Sequence, residues 1–429
     1  MSEITITKRQ RSYTLFLLVV VFTSSHIDRQ IVAILQEPIK LAFQITDTQL
    51  GLLTGVMFAV FYATLGMPMA MWADRRNRRN LITFSIATWS LMTVLCGAAV
   101  QFWQLLLARI GVGVGEAGSN PPSHSIISDL YPAAERGTAM AIFALGVNFG
   151  VMFGYLIGGW VNEFLDWRWA FVAAGAPGLL IAVVVRYTML EPPRGYSDGL
   201  QDKPVAPPFW QVVKFMINQV TIRNLLMASM LLSFAGYAAI AWVPVYLQRV
   251  HAFTTGESGT VLALAIGVGG GIGTFFGGYL ADRLARFSEG WRAWVVLVAV
   301  IIYIPTAYLS FTAADPFRAA AWFFGPATLG GVYLGTNFAM LQSQLPVEMR
   351  AVGAAINLFV LNIIGLGLGP LSVGIISDAT AASDGVDSIR NGLLAMILIM
   401  VWGALHQARV GQLLARPEGD QRTGVRAQT

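Results

Sequence analysis

Four ionisable residues lie in stretches too apolar to solvate them: Asp28 and Arg29 in the first hydrophobic run, Arg109 and Glu116 in the fourth. A charge at the middle of a membrane helix costs about 2.5–3.5 kcal/mol on insertion scales, so it faces a cavity or a partner. Seven residues separate Arg109 from Glu116, which on an α-helix leaves them about 20° apart in direction and about 10 Å apart along one face. Asp28 and Arg29 are adjacent, about 100° apart, and address different partners. Such a set suits proton exchange. Burial disfavours the charged form of Glu116, and a neighbouring Asp28 adds like-charge repulsion, so the two can share or pass a proton as a coupled pair. Arg29 opposes this for whichever acid it contacts, and its planar fork suits an anionic head group. Arg109 reads as structural or as an acid's partner. The competing reading is a static ion-pair network that sets helix register.

The remaining polar candidates are more scattered. Asn148 lies in the fifth run, and Ser233, Tyr237, Trp242, Tyr246, Asn337, Asn357 and Asn362 lie in the second half. Together they suit a largely apolar cavity with a few hydrogen-bonding points, and a cavity charged on one side only suits an amphiphile. Each aromatic also fits helix packing or an interfacial belt. His26, His124, His251 and His406 lack metal-ligand spacing. Gly111-x-Gly113-x-Gly115 follows no strand, and there is no P-loop. No nucleophile, base and orienter assemble. The expectation is therefore no enzyme, no catalytic residue, no metal and no cofactor.

The elements that must position these residues are membrane spans. Hydrophobic residues make up 55% of the 429 and charged residues 12%, against about 25% charged in a soluble domain. Apolar runs of about 20 residues, the length that crosses a bilayer, lie near 13–38, 48–72, 80–100, 103–126, 136–161 and 169–190. They resume near 222–247, 257–281, 292–312, 317–343, 350–377 and 390–411. The fold class is an all-α membrane protein with twelve transmembrane helices. Its expected parts are a six-helix bundle over 1–190, a proline-rich linker over 191–220, a second bundle over 221–412 and a tail over 413–429. The first run carries charges in its middle and no convincing cleavage site, so it reads as a span rather than a leader. With both termini in the cytoplasm, about 20 Lys and Arg fall inside and about five outside, namely Lys40, Arg168, Arg249, Arg318 and Arg390. The net charge of +5 sits in short connectors, not along one face, which argues against nucleic acid. The single cysteine, Cys96, excludes an intramolecular disulfide framework.

The two halves repeat. Ala70-Met-Trp-Ala-Asp74-Arg75 ends the second run and Gly278-Tyr-Leu-Ala-Asp282-Arg283 the eighth. Pro132-Ala-Ala-Glu-Arg136 precedes the fifth and Pro346-Val-Glu-Met-Arg350 the eleventh. Both pairs are offset by roughly 210 residues, as parallel six-helix repeats require. Gly146, Gly150, Gly154 and Gly158 mark one helix face for close packing. Gly365, Gly367 and Gly369-Pro370 are the candidate counterpart.

These residues resemble the major facilitator superfamily along the whole chain. Ala70-x-x-x-Asp74-Arg75-x-x-Arg78-Arg79 is similar to its loop motif, with Ala70 where a glycine is usual. The resemblance implies two pseudo-symmetric bundles, alternating access, and a conformational latch built from Asp74, Arg75, Arg78, Arg136, Asp282, Arg283 and Arg350. Within the superfamily, Asp28-Arg29, Arg109-Ile-Gly-Val-Gly-Val-Gly-Glu116-Ala, Asn120-Pro-Pro and Ser128-Asp-Leu-Tyr-Pro132-Ala-Ala-Glu-Arg136-Gly resemble the spinster family. That resemblance implies a carrier of a lysophospholipid or sphingosine-1-phosphate that works as a monomer; with the buried acids the expectation is proton coupling or proton regulation, in a bacterial cytoplasmic membrane. A carrier of a soluble organic anion or drug stays open, as does a lipid-binding receptor or scaffold that does not transport.

Overall fold

The computed structural model describes residues 6–197 and 207–415, and every regular element among them is a helix. Inside a bilayer a helix pairs all its own backbone groups, which open strands cannot do. The first three spans are Lys8–Ile34, Asp47–Ala73 and Arg78–Gly97. The fourth is broken between Phe102–Glu116 and Asn120–Leu130, and Ala133–Phe164 and Trp167–Thr188 complete the first six. Val220–His251, Thr255–Ala285 and Gly290–Thr312 follow. The tenth span is Pro316–Leu329 continued by Val332–Gln344, and Val347–Leu414 holds the last two. Among the described residues nine stretches are individually long and apolar enough to cross a membrane. Twelve spans follow because the last stretch contains two, and the fourth and tenth are interrupted at Ala117–Ser119 and at Gly330-Gly331. Residues 198–206 of the expected linker, with Lys203, lie outside the described residues, as do 416–429 of the tail.

The repeat extends into the backbone. Gln44 and Ala252 both take positive φ, at 52° and 55°. Two residues later, Thr46 and Thr254 cap the second and eighth spans, in reciprocal boxes with Gln49 and Glu257. The offset is the one that separates Asp74 from Asp282. Each of these spans then carries a π-helical segment, Leu52–Val56 and Ala263–Gly269. Such wide turns are frequent at functional positions.

The described chain forms two compact units that do not follow the sequence halves. The first joins the first six spans with Ala238–Val268 and Leu366–Leu393. Its core packs Leu18, Val21, Phe58, Ile86, Trp89, Val112 and Phe143. The fifth span lies directly on the first along the glycine ladder. A Cβ at Gly154 would meet the Gln30 Cβ at 2.8 Å and one at Gly146 the Phe22 Cβ at 3.1 Å. The second unit, which includes Gly269–Gly365, packs Ile222, Leu225, Met340, Leu341 and Val410.

Candidate functional site

Asp28 and Arg29 sit near the end of the long first helix, and Arg109 and Glu116 on Phe102–Glu116. The structure brings all four together within the first unit. Arg29 donates through Nε to Glu116 Oε2 at 2.7 Å, with Nη2 at 2.6 Å from the same oxygen. Its guanidinium also lies over two rings of the second span, 4.8 Å from the Phe58 centroid and 4.5 Å from that of Tyr62. Arg109 lies over Phe58 as well, at 5.3 Å, and donates to the Asp28 backbone carbonyl at 3.3 Å. Asp28, Arg109 and Glu116 are buried, and the Arg29 side chain keeps 16% of its surface open.

The cluster is under-satisfied. Neither carboxylate oxygen of Asp28 has a hydrogen-bond partner among the described residues, nor does Glu116 Oε1 or Arg109 Nε. The Thr93 hydroxyl lies beside Asp28 but outside hydrogen-bonding geometry. Unmade hydrogen bonds on buried ionisable groups are costly in a fold. Such groups are available to a proton, a ligand or a moving partner. Phe58 and Tyr62, which hold Arg29, went unread in the sequence because an aromatic in an apolar run carries no distinguishing signal.

The second-half candidates divide between the units. Trp242 and Tyr246 belong to the first unit. Trp242 donates to the Pro370 carbonyl at 2.7 Å, and Tyr246 bonds His251 at 2.8 Å. Ser233, Tyr237, Asn337, Asn357 and Asn362 belong to the second. There Asn337 pairs with Ser229 at 3.0 Å and exchanges amide hydrogen bonds with Gln407. Asn362 donates to Leu358 O in its own helix at 2.8 Å. Ser233 packs against Gly365, Asn357 is buried and Asn148 is half-buried.

The latch residues differ between the repeats. Arg78 is buried and binds Asp129, Glu191 at 2.8 Å, Ser125 at 2.9 Å and the Pro192 carbonyl at 2.7 Å. Arg136 holds Ser128 O at 3.0 Å and Ser197 Oγ at 3.3 Å. Arg75 is exposed at the end of the second helix; Asp74 lies in the same turn, its side chain outside the described residues. In the second repeat Arg283 donates to Tyr279 Oη at 3.0 Å within its own helix, and Asp282 meets Arg292 at 3.2 Å. Arg350 donates to Leu345 O at 3.3 Å.

A second charged cluster, absent from the sequence reading, lies at the Ile34 end of the first span. Asp47 accepts from Lys40 at 2.6 Å, Arg249 at 2.7 Å and Ser377 at 2.6 Å, and Arg249 also holds Glu37 at 2.8 Å. Asp378 accepts from the backbone N–H groups of Asp47 at 3.0 Å and Thr48 at 2.8 Å, at the start of the second span. The repeat-related acid Glu163, near the end of the fifth span, accepts from Gly256 N at 2.7 Å at the start of the eighth. Each span start is thus held by an acid from a span of the other repeat, with the carboxylate at the positive end of a helix dipole. The signals in the sequence were the two Thr-x-x-Gln/Glu capping boxes at equal offset. Charge bias along the sequence marks Lys40 and Arg249 only as outside cations.

A bundle of twelve spans in two related sets, with a buried acid–base cluster in the first, defines an integral membrane transporter. The sequence pattern describing the Major Facilitator Superfamily matches residues 15–370, and the chain belongs to that superfamily. An MFS-type efflux pump of Mycolicibacterium smegmatis is 30% identical over 388 residues, covering 89% of this chain and 88% of its own. Protein spinster homolog 1 of Xenopus tropicalis is 27% identical over 380 residues, covering 82% of this chain and 70% of its own. The crystal structure of a bacterial homolog to the human lysosomal transporter Spinster, inward-facing and unoccupied, superposes with a TM-score of 0.85. The two are 29% identical, over 95% of this chain and 98% of that one.

Proposed function

We propose that the chain is a proton-coupled carrier of an anionic amphiphilic lipid, of the lysophospholipid or sphingosine-1-phosphate class, working by alternating access. It acts as a monomer in a bacterial cytoplasmic membrane with both termini in the cytoplasm. The observation that carries the coupling is the Arg29–Glu116 pair, closed at 2.6–2.7 Å beside an Asp28 carboxylate that has no hydrogen-bond donor among the described residues. A buried acid in that state is cheapest to hold neutral. A proton that reaches Glu116 Oε2 removes the negative charge facing Arg29. The guanidinium then takes a phosphate of the lipid head group, which it can grip with two parallel hydrogen bonds. Protonation and anion binding favour each other by linkage. Release of the lipid returns Arg29 to Glu116 and the proton leaves, with Asp28 as the adjacent acid that accepts or passes it. The lipid class is what the resemblance to the spinster family implies, and the chain is similar to a spinster homolog and to a bacterial spinster structure.

The test is transport by the purified protein in liposomes, using a labelled lysolipid panel that includes sphingosine-1-phosphate, with and without an imposed pH gradient. Lipid movement that responds to pH, and loses that response in Glu116→Gln, is the expected result. Movement indifferent to both pH and Glu116→Gln leaves a lipid carrier and refutes the coupling. A second reading, a carrier of a soluble organic anion or drug, is favoured by the 30% identity to an efflux pump. It wins if no lipid moves and a soluble anion does. Absence of counterflow for any bound ligand would make the chain a receptor instead.

A further inference from the structure

The second span touches both charged clusters. Its first residues, Asp47 and Thr48, are held by Asp378 and Arg249. One turn on, it meets the eleventh span backbone to backbone: a Cβ at Gly51 would lie 2.8 Å from the Leu371 Cα and the Pro370 carbonyl oxygen. The π-helical segment Leu52–Val56 follows. Immediately beyond it, Phe58 and Tyr62 present their rings to Arg29, and Phe58 also to Arg109. The span then rests on the fourth, where a Cβ at Gly113 would stand 2.9 Å from the Phe58 carbonyl oxygen. Gly113 lies between Arg109 and Glu116 in the sequence. From Asp47 to Tyr62 the helix spans about 22 Å.

We propose that Phe58 and Tyr62 are positioning residues that tie Arg29 to the second span, so that the state of the Arg29–Glu116 pair and the closure of the Asp47–Arg249–Asp378 clamp are set together through this span. The inference rests on the proposed role of Glu116 in coupling. Among its described contacts, Arg29 is held by the Glu116 carboxylate and by the two rings, and these holds compete. Cation–π attraction strengthens in a desolvated site. When the carboxylate loses its charge, Arg29 stays with the rings and shifts the span that carries them. The same span is locked at its start by carboxylates that must release for the clamp to open. Linkage requires the effect to run both ways.

The experiment measures clamp opening directly, by pulsed electron spin resonance between labels at Leu41→Cys and Ala382→Cys in a Cys96→Ala background. Arg249→Gln breaks the clamp and is expected to raise the ratio of open to closed by about tenfold or more, since an acid cluster loses its main partner. Glu116→Gln is expected to shift the same ratio. In a Phe58→Leu/Tyr62→Leu background the Glu116→Gln shift is expected to vanish and the Arg249→Gln shift to persist. Tyr62→Phe, which keeps the ring, retains the Glu116→Gln shift, an outcome that a merely structural role for the ring pair does not predict. An equal Glu116→Gln shift with and without the rings overturns the proposal, as does no shift at all. Transport by the same variants, with and without a pH gradient, decides the coupling reading separately.

Discussion

The two charged clusters of the first unit use the same residue types to opposite ends. At the Arg249 end, each oxygen of Asp47 has a donor: Oδ1 takes Lys40 and Arg249, and Oδ2 takes Arg249 and Ser377. Around Glu116, one oxygen takes both Arg29 contacts while, among the described residues, the other has no hydrogen-bond partner and Asp28 has none on either oxygen. A satisfied carboxylate holds elements together, because breaking any one bond leaves a charge exposed to an apolar surround. An under-satisfied one keeps capacity for a proton or a ligand. The difference between the clusters is one of partners supplied, not of composition.

The sharpest way to break that contrast is Arg29→Ala, which leaves Glu116 buried without its counter-charge. Removing one partner of a buried pair costs about 3–5 kcal/mol, so a marked fall in thermal stability is expected at pH 8, together with loss of transport. Adding Glu116→Gln to it should restore most of the stability and none of the transport. Asp47→Ala should destabilise next most, by about 2–4 kcal/mol, because it strips Lys40 of its acid and leaves Arg249 with Glu37 alone of its two acids. Asp28→Asn separates holding from chemistry. With no hydrogen bond to lose among the described residues, its effect on stability should fall within about 1 kcal/mol, while pH-driven transport in liposomes is abolished.

A smaller contrast divides the two loop motifs. Arg78→Ala removes a buried cation bound to Asp129 and Glu191 and should cost about 2–3 kcal/mol by thermal unfolding. Arg283→Ala, at the repeat-related motif, should stay within about 0.5 kcal/mol. The Asp282 side chain nearby is 73% exposed, where ion pairs are worth little. Equal effects at the two positions would mean that the repeats share a latch that this conformation does not reveal.

Much of the site was legible before any coordinates. Asp28, Arg29, Arg109 and Glu116 stood out because a bilayer makes intramembrane charge expensive, and their spacing put Arg109 and Glu116 on one face. The glycine ladder was legible for a similar reason, since spacing four on an apolar helix has few uses other than close approach. The clamp was not. Glu37, Lys40, Asp47 and Asp378 lie near span ends, where charge is ordinary, and apart from the local Lys40–Asp47 pair their partners come from segments some 200 to 330 residues away. Asn337 failed in the other direction: a polar residue in an apolar run resembles a cavity residue, yet its amide is paired with Gln407.

The sequence by itself determined the number of spans, the repeat and the chemical types at the centre, because hydropathy, spacing and charge cost act locally along the chain. Only the tertiary structure decided who pairs with whom: Glu116 with Arg29 rather than with Asp28, both arginines against Phe58, and Arg249 with Asp47. Pairing depends on which helix faces meet and how closely. In this chain glycine contacts set how closely spans distant in sequence approach, and the glycine pattern marks a packing face without naming the span that meets it.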